Sequence, residues 1–281
     1  TPLSIAVEKN NLDLVQYLIG CNSDVTTVDM NKNTLLHIAI MNESYGVLEY
    51  LLSLNKININ NINLEGITPL HISVMKGNFD VFSLLLKYDA CPLILDSKGR
   101  SIIHFAIKSN SFDIFEYIIQ NKLTFPFQID KNDITPFHYA AASPDVRFLT
   151  ALASLDPSLI NDNKCGFAPL HIACKHQLFE NINFILTHPI TDPLVENCYR
   201  QNALHIAARS SNFALLSFIL EGNVFDLSIP DIIGVFFYFN FSGLHFIMLL
   251  KKVLLKWLNY LSHMVQILLK KISIIFLIFY F

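Results

Sequence analysis

From Thr68 to Leu86 the chain reads TPLHISVMKGNFDVFSLLL. A short apolar run closes at Gly77. A second run follows, in which Phe79, Phe82 and Leu86, with Val81 and Leu85, return at helical spacing. The pattern predicts two short helices joined by a turn. Thr68 can cap the first by accepting a backbone N–H, and Pro69 then fills the first helical position, where its missing donor is harmless. Gly77 supplies the positive φ that ends it. The second stripe recurs at Leu12, Val15, Leu18 and Ile19, and at Phe112, Phe115, Ile118 and Ile119. Polar connections end Asn63-Leu-Glu-Gly66, Asp96-Ser-Lys-Gly99 and Asn163-Lys-Cys-Gly166. An Asn or Asp followed by a turn glycine predicts a hairpin tip.

The helix-opening motif keeps returning: TLLHIAI at Thr34, SIIHFAI at Ser101, TPFHYAA at Thr135, APLHIAC at Ala168 and NALHIAA at Asn202. Aligned on its histidine it gives Ser4, His37, His71, His104, His138, His171 and His205, with spacings alternating between 33 and 34. A fixed period of this length is the signature of a solenoid, and with its Thr-Pro-Leu-His motif the chain resembles the ankyrin repeat. The resemblance covers seven units, 1–33, 34–67, 68–100, 101–134, 135–167, 168–201 and 202–235. It implies an all-α array of helix-turn-helix units with projecting hairpin fingers, in which each histidine ties neighbouring turns together by hydrogen bonds. Small residues at Ala6, Ala39, Ser73, Ala106, Ala140, Ala173 and Ala207 let adjacent helices approach closely.

Several units depart from the pattern. Ser4 replaces the first histidine, and Lys32, Asp133 and Arg200 stand where the finger glycine belongs. Pro144 takes the place of the turn glycine in the fifth unit, with helix expected from Asp145 to Leu155. A new motif is due at Phe236, but FFYFNF intervenes before SGLHFI, so residues 236–281 read as a degenerate eighth repeat with an apolar tail. The strings of Phe, Ile, Leu and Lys there resemble mistranslated AT-rich sequence. The chain opens on a motif without Met, and an upstream part is expected.

Composition narrows the function. Hydrophobic residues make up 52%, enough for a substantial core. Residues 236–281 hold five lysines and no acid, so the first 235 carry 15 basic and 23 acidic groups, a formal −8. Such an acidic body is a poor match for nucleic acid. Five cysteines without CxxC spacing, and no secretory signal, fit reduced thiols and a cytoplasmic location. The densest set of potential ligands is His171, Cys174 and His176, but His171 and Cys174 fall on repeat positions, and no metal is assigned. No phosphate loop, GxSxG elbow or HExxH occurs. A catalytic residue is needed once, so a histidine that returns every repeat belongs to the architecture. The expectation is a non-catalytic, monomeric scaffold without cofactor.

By the ankyrin resemblance, the concave face of fingers and first helices grips another protein. Its finger positions carry Met30, Asn31 and Asn33; Leu64, Glu65 and Ile67; Ser97, Lys98 and Arg100; Lys131, Asn132 and Ile134; Lys164, Cys165 and Phe167; and Cys198, Tyr199 and Gln201. Outward positions of the first helices add Met41, Met75, Lys76, Lys108, Lys175, His176 and Arg209. Met30, Leu64, Ile67, Phe167 and Tyr199 are expected to be exposed and to dominate binding, so that replacing Ile67 and Phe167 by Ser leaves the fold intact. The alternative is the cytoplasmic arm of a channel- or transferase-like membrane protein, as in families that carry such arrays. Val253–Leu269 holds too many polar residues for a good span, and Ile272–Phe281 is greasy but short.

Overall fold

The structure, a computed structural model, describes residues 1–210 and 212–221. Expectations for 222–281, including the eighth repeat and its tail, lie outside the described residues. Helices come in pairs, numbered here in chain order. They are α1 (Pro2–Glu8) with α2 (Leu12–Gly20), α3 (Leu35–Met41) with α4 (Tyr45–Ser53), and α5 (Pro69–Met75) with α6 (Phe79–Lys87). Next come α7 (Ile102–Lys108) with α8 (Phe112–Gln120), α9 (Pro136–Ala141) with α10 (Arg147–Leu155), and α11 (Pro169–His176) with α12 (Phe179–Thr187). The last pair is α13 (Ala203–Arg209) with α14 (Phe213–Glu221). The chain divides into two compact units, Thr1–Ala203 and one beginning at Leu204.

In the first unit the first helices form a continuous stack: α1 on α3, then α5, α7, α9 and α11. Their small residues make this possible, because Ala39, Ser73, Ala106, Ala140 and Ala173 are wholly buried between neighbours. Leu36, Leu70, Ile103, Phe137 and Leu170 fill the layer beside them. Second helices pack behind, with aromatic rings bridging repeats. Phe79 and Phe82 meet the edge of Tyr117, while Phe112 and Phe115 meet Phe148. Edge-to-face pairs of this kind add to the burial itself. No repeat buries these faces alone, so each is stable only through its neighbours.

Turns repeat as faithfully as helices. After the first helix a left-handed residue reverses the chain: Asn10, Glu43, Gly77, Asn110 and Gln177 all have φ between 52° and 65°. The fifth unit departs. Helix α10 begins at Arg147 rather than Asp145, because the Asp145 carboxylate takes the Arg147 N–H and guanidinium as a turn ahead of the helix. Without the usual turn, the carbonyls of Ala140, Ala141 and Ser143 converge on the buried side-chain amide of Asn181 from α12. A 3-10 helix, Pro157–Asn161, then replaces part of the polar connection.

Candidate functional site

Five fingers are each built on one Asx residue; at the remaining one, Asp162 takes the Lys164 N–H, and the Asn163 side-chain oxygen accepts nothing among the described residues. The Asp29 carboxylate accepts the N–H groups of Asn31 and Asn33, Asn63 those of Glu65 and Ile67, and Asp96 those of Lys98 and Arg100. Asp130 and Asn197 repeat the arrangement. The turn then needs a left-handed residue. Gly66, Gly99 and Gly166 supply it freely, yet Lys32, Asp133 and Arg200 adopt the same conformation at φ 56–60°. Adjacent fingers are linked by main chain: Leu64 N–H donates to Asn31 O at 2.9 Å, Ser97 to Glu65 at 2.9 Å, and Lys131 to Lys98 at 2.8 Å. Glycine matters most at 66, where a Cβ would lie 2.4 Å from the Ser97 nitrogen.

This geometry sorts the expected contact residues. Met30 (95% exposed), Leu64 (58%) and Tyr199 (70%) stand at the tips, as do the exposed Asn31, Glu65, Ser97, Lys98, Lys131, Asn132 and Lys164. The residue after each left-handed position does not. Ile67 is 3% exposed, and Asn33 and Gln201 are buried; Arg100, Ile134 and Phe167 are half-buried. The reason is that this residue closes the finger base, its carbonyl accepting the Asx N–H, as Ile67 does from Asn63. Ile67 therefore belongs to the core, and the expectation that it is exposed fails. The Arg100 guanidinium is held by Asp96 at 2.6 Å and lies over the Phe105 ring. Phe167 leans on His171 and Tyr199. An alternating signal was available: in a tight turn, the tip faces solvent and the closing residue turns inward.

The histidines are buried at the helix starts. Thr34 N–H donates to His37 Nδ1, which fixes the ring proton on Nε2, and Nε2–H then donates to Ile67 O of the next repeat at 2.9 Å. His138 does the same with Phe167 O at 2.7 Å. His71, His104 and His171 accept the same N–H of the capping residue. Their Nε2 atoms form no hydrogen bond of normal geometry among the described residues. Instead Phe105 and Tyr139 present ring edges to His71 and His104. Burial holds all five imidazoles neutral, and pushes His71 and His104 down to about 4. Ser4 substitutes locally, its hydroxyl donating to Thr1 O while its own N–H donates to the Thr1 hydroxyl. His205 occupies the matching position in α13 and is half-buried.

Cys174, buried beside His171, has its thiol pushed far up by desolvation. The Cys165 thiol donates to Phe167 O. Among the described residues no three His, Cys, Asp or Glu side chains converge as metal ligands. Nor is any described helix long and apolar enough to cross a membrane.

A family description, ankyrin repeats in three copies, matches residues 3–96, 53–133 and 137–231. The chain belongs to the ankyrin repeat family, whose arrays are protein–protein interaction modules. The crystal structure of the human ASB11 ankyrin repeat domain superposes with a TM-score of 0.67 over 79% of this chain and 98% of that one, at 22% identity. Among curated proteins, the tyrosine-protein kinase HTK16 of Hydra vulgaris is 24% identical over 75% of this chain and 29% of its own length. Human transient receptor potential cation channel subfamily A member 1 is 26% identical over 73% of this chain and 19% of its own length. The probable 26S proteasome regulatory subunit p28 of Saccharomyces cerevisiae is 26% identical over 60% of this chain and 76% of its own. The chain thus spans under a third of the kinase and the channel.

Proposed function

We propose that residues 1–235 are a non-catalytic scaffold that holds a partner protein on the face formed by finger tips and first-helix ends. One observation carries this reading. The tips are exposed side chains on main-chain turns whose spacing is fixed by backbone hydrogen bonds, and they include Met30, Leu64 and Tyr199, apolar groups that no core requirement explains. Asn31, Glu65, Ser97, Lys98, Lys131, Asn132 and Lys164 surround them. Asn33, Ile67, Arg100, Ile134, Phe167 and Gln201 support the face from beneath. The five buried repeat histidines are engaged at helix starts, and two of them in inter-repeat bonds, which supports an architectural role for them.

The test is a pull-down with the whole chain, repeated with Met30→Ser/Leu64→Ser. Recovery of the partner should fall at least about tenfold, equivalent to about 1.4 kcal/mol, with an unchanged melt. Ile67→Ser should instead lower the melt, since it puts a hydroxyl into a buried apolar site. Undiminished recovery by the Met30/Leu64 variant would remove the tips from the interface.

A second reading rests on the likeness to the human channel: the array is the cytoplasmic arm of a membrane protein. On that reading the membrane part lies outside this sequence, and the full-length protein that carries the array sediments with membranes and resists extraction by salt or alkali. Release of that full-length protein by salt would remove this reading.

A further inference from the structure

In the first unit the second helices carry mostly acidic exposed groups, with Lys87 and Arg147 the basic ones, while the middle fingers carry mostly lysines. Exposed carboxylates line the second helices: Asp80, Asp113, Glu116 and Glu180. Three of them stand in first turns, where the helix dipole favours an anion. The fingers of the middle repeats carry Lys98, Lys131 and Lys164, all exposed, and Lys98 and Lys131 are on fingers joined by a backbone bond. First-helix ends add exposed Lys108 and Lys175. Those two have a structural explanation in the same dipole. The three finger lysines have none, because they cap no helix. Among the described residues none of the five ammonium groups forms an ion pair. Two exposed acids stand among them, Asp133 on the Lys131 finger and Glu65 on the finger joined to that of Lys98, two charges against five.

We infer that the middle of this face takes an extended acidic peptide, its Asp and Glu side chains lying along Lys98, Lys131 and Lys164 and its apolar anchors on Met30, Leu64 and Met75. The inference rests on the proposed interaction face and adds the chemistry of the partner. Charge complementarity is the argument: an array with a formal charge of −8 over residues 1–235 still gathers three unpaired lysines on neighbouring middle fingers, where they raise the local concentration of anions, while the mainly acidic second helices repel them. A nucleic acid would share the lysines. It would find the thioether and isobutyl groups of Met30, Met75 and Leu64 beside them, without a row of exposed rings for base stacking.

The test is a selection of random peptides displayed on phage against the whole chain, followed by affinities for the enriched peptides. Those peptides should be rich in Asp and Glu. They should bind at least about tenfold more weakly to Lys98→Glu/Lys131→Glu/Lys164→Glu, and should weaken with added salt. Asp113→Lys/Glu116→Lys on the back should bind as the parent does. Enriched peptides that lack acids but are lost with Met30→Ser/Leu64→Ser overturn this inference and leave the face standing. Peptides insensitive to both front variants overturn the face as well. An oligonucleotide that displaces every enriched peptide, or a selection without enrichment, also overturns the acidic-peptide assignment.

Discussion

His37 shows how one residue can serve two repeats. Its Nδ1 takes an N–H at the helix start of its own repeat, and its Nε2 gives a proton to the Ile67 carbonyl of the next. His37→Ala removes both partners at once and opens a cavity, so stability should fall by about 2–4 kcal/mol in a denaturant titration. His71→Ala leaves one bond fewer behind, because His71 Nε2 has no partner of normal geometry. It should therefore cost less. Equal losses would mean that the inter-repeat bond adds little beyond packing. The period of the histidines was readable as architecture in the sequence. Which of them reach a carbonyl was not, because that depends on finger placement and on the aromatic rings of Phe105 and Tyr139, set by neighbouring repeats.

At the scale of the finger, conformation decides what the sequence only hinted. Lys32, Asp133 and Arg200 stand where the finger glycine belongs, yet all three hold the left-handed turn that Gly66, Gly99 and Gly166 hold. A side chain there carries steric strain of about 1 kcal/mol, partly offset by the greater freedom glycine has when unfolded. Asp133→Gly should therefore raise the thermal midpoint slightly. Gly66→Ala should lower it clearly, since its new Cβ would run into the next finger at the Ser97 nitrogen. A calorimetric scan of the two variants checks both signs. The helices and turns themselves were legible from periodicity and glycine placement. The inward turn of Ile67 was not, because it follows from the alternating conformation of the finger, in which the closing residue gives its carbonyl to the Asn63 N–H. The late start of α10 has a related cause: the Asp145 carboxylate takes the Arg147 N–H ahead of the helix.

For the whole molecule, the buried histidines set a pH dependence. Folded, all five stay neutral below their ordinary value; unfolded, they titrate near 6.5. Between those values the unfolded chain binds more protons, so stability falls as pH drops. The loss should begin near pH 6.5, and for His71 and His104 it runs on to about pH 4. Below that, carboxylates with depressed values, Asp29 and Asp96 among them, add a second loss as they protonate. Urea titrations at several pH values should show the first loss, and His71→Leu should shrink it. A flat profile from pH 7 to 5 would contradict neutral burial.

The backbone bonds between fingers have one more consequence. They separate spacing from lettering: main chain fixes where the tips of the first four fingers stand, while the side chain on each is left free of any duty to the fold. On the proposed face, recognition can then change by single substitutions at Met30, Leu64, Lys98 or Lys131 without renegotiating its shape. Partner choice on the proposed face is therefore an inheritance that can drift quickly over a frame that cannot.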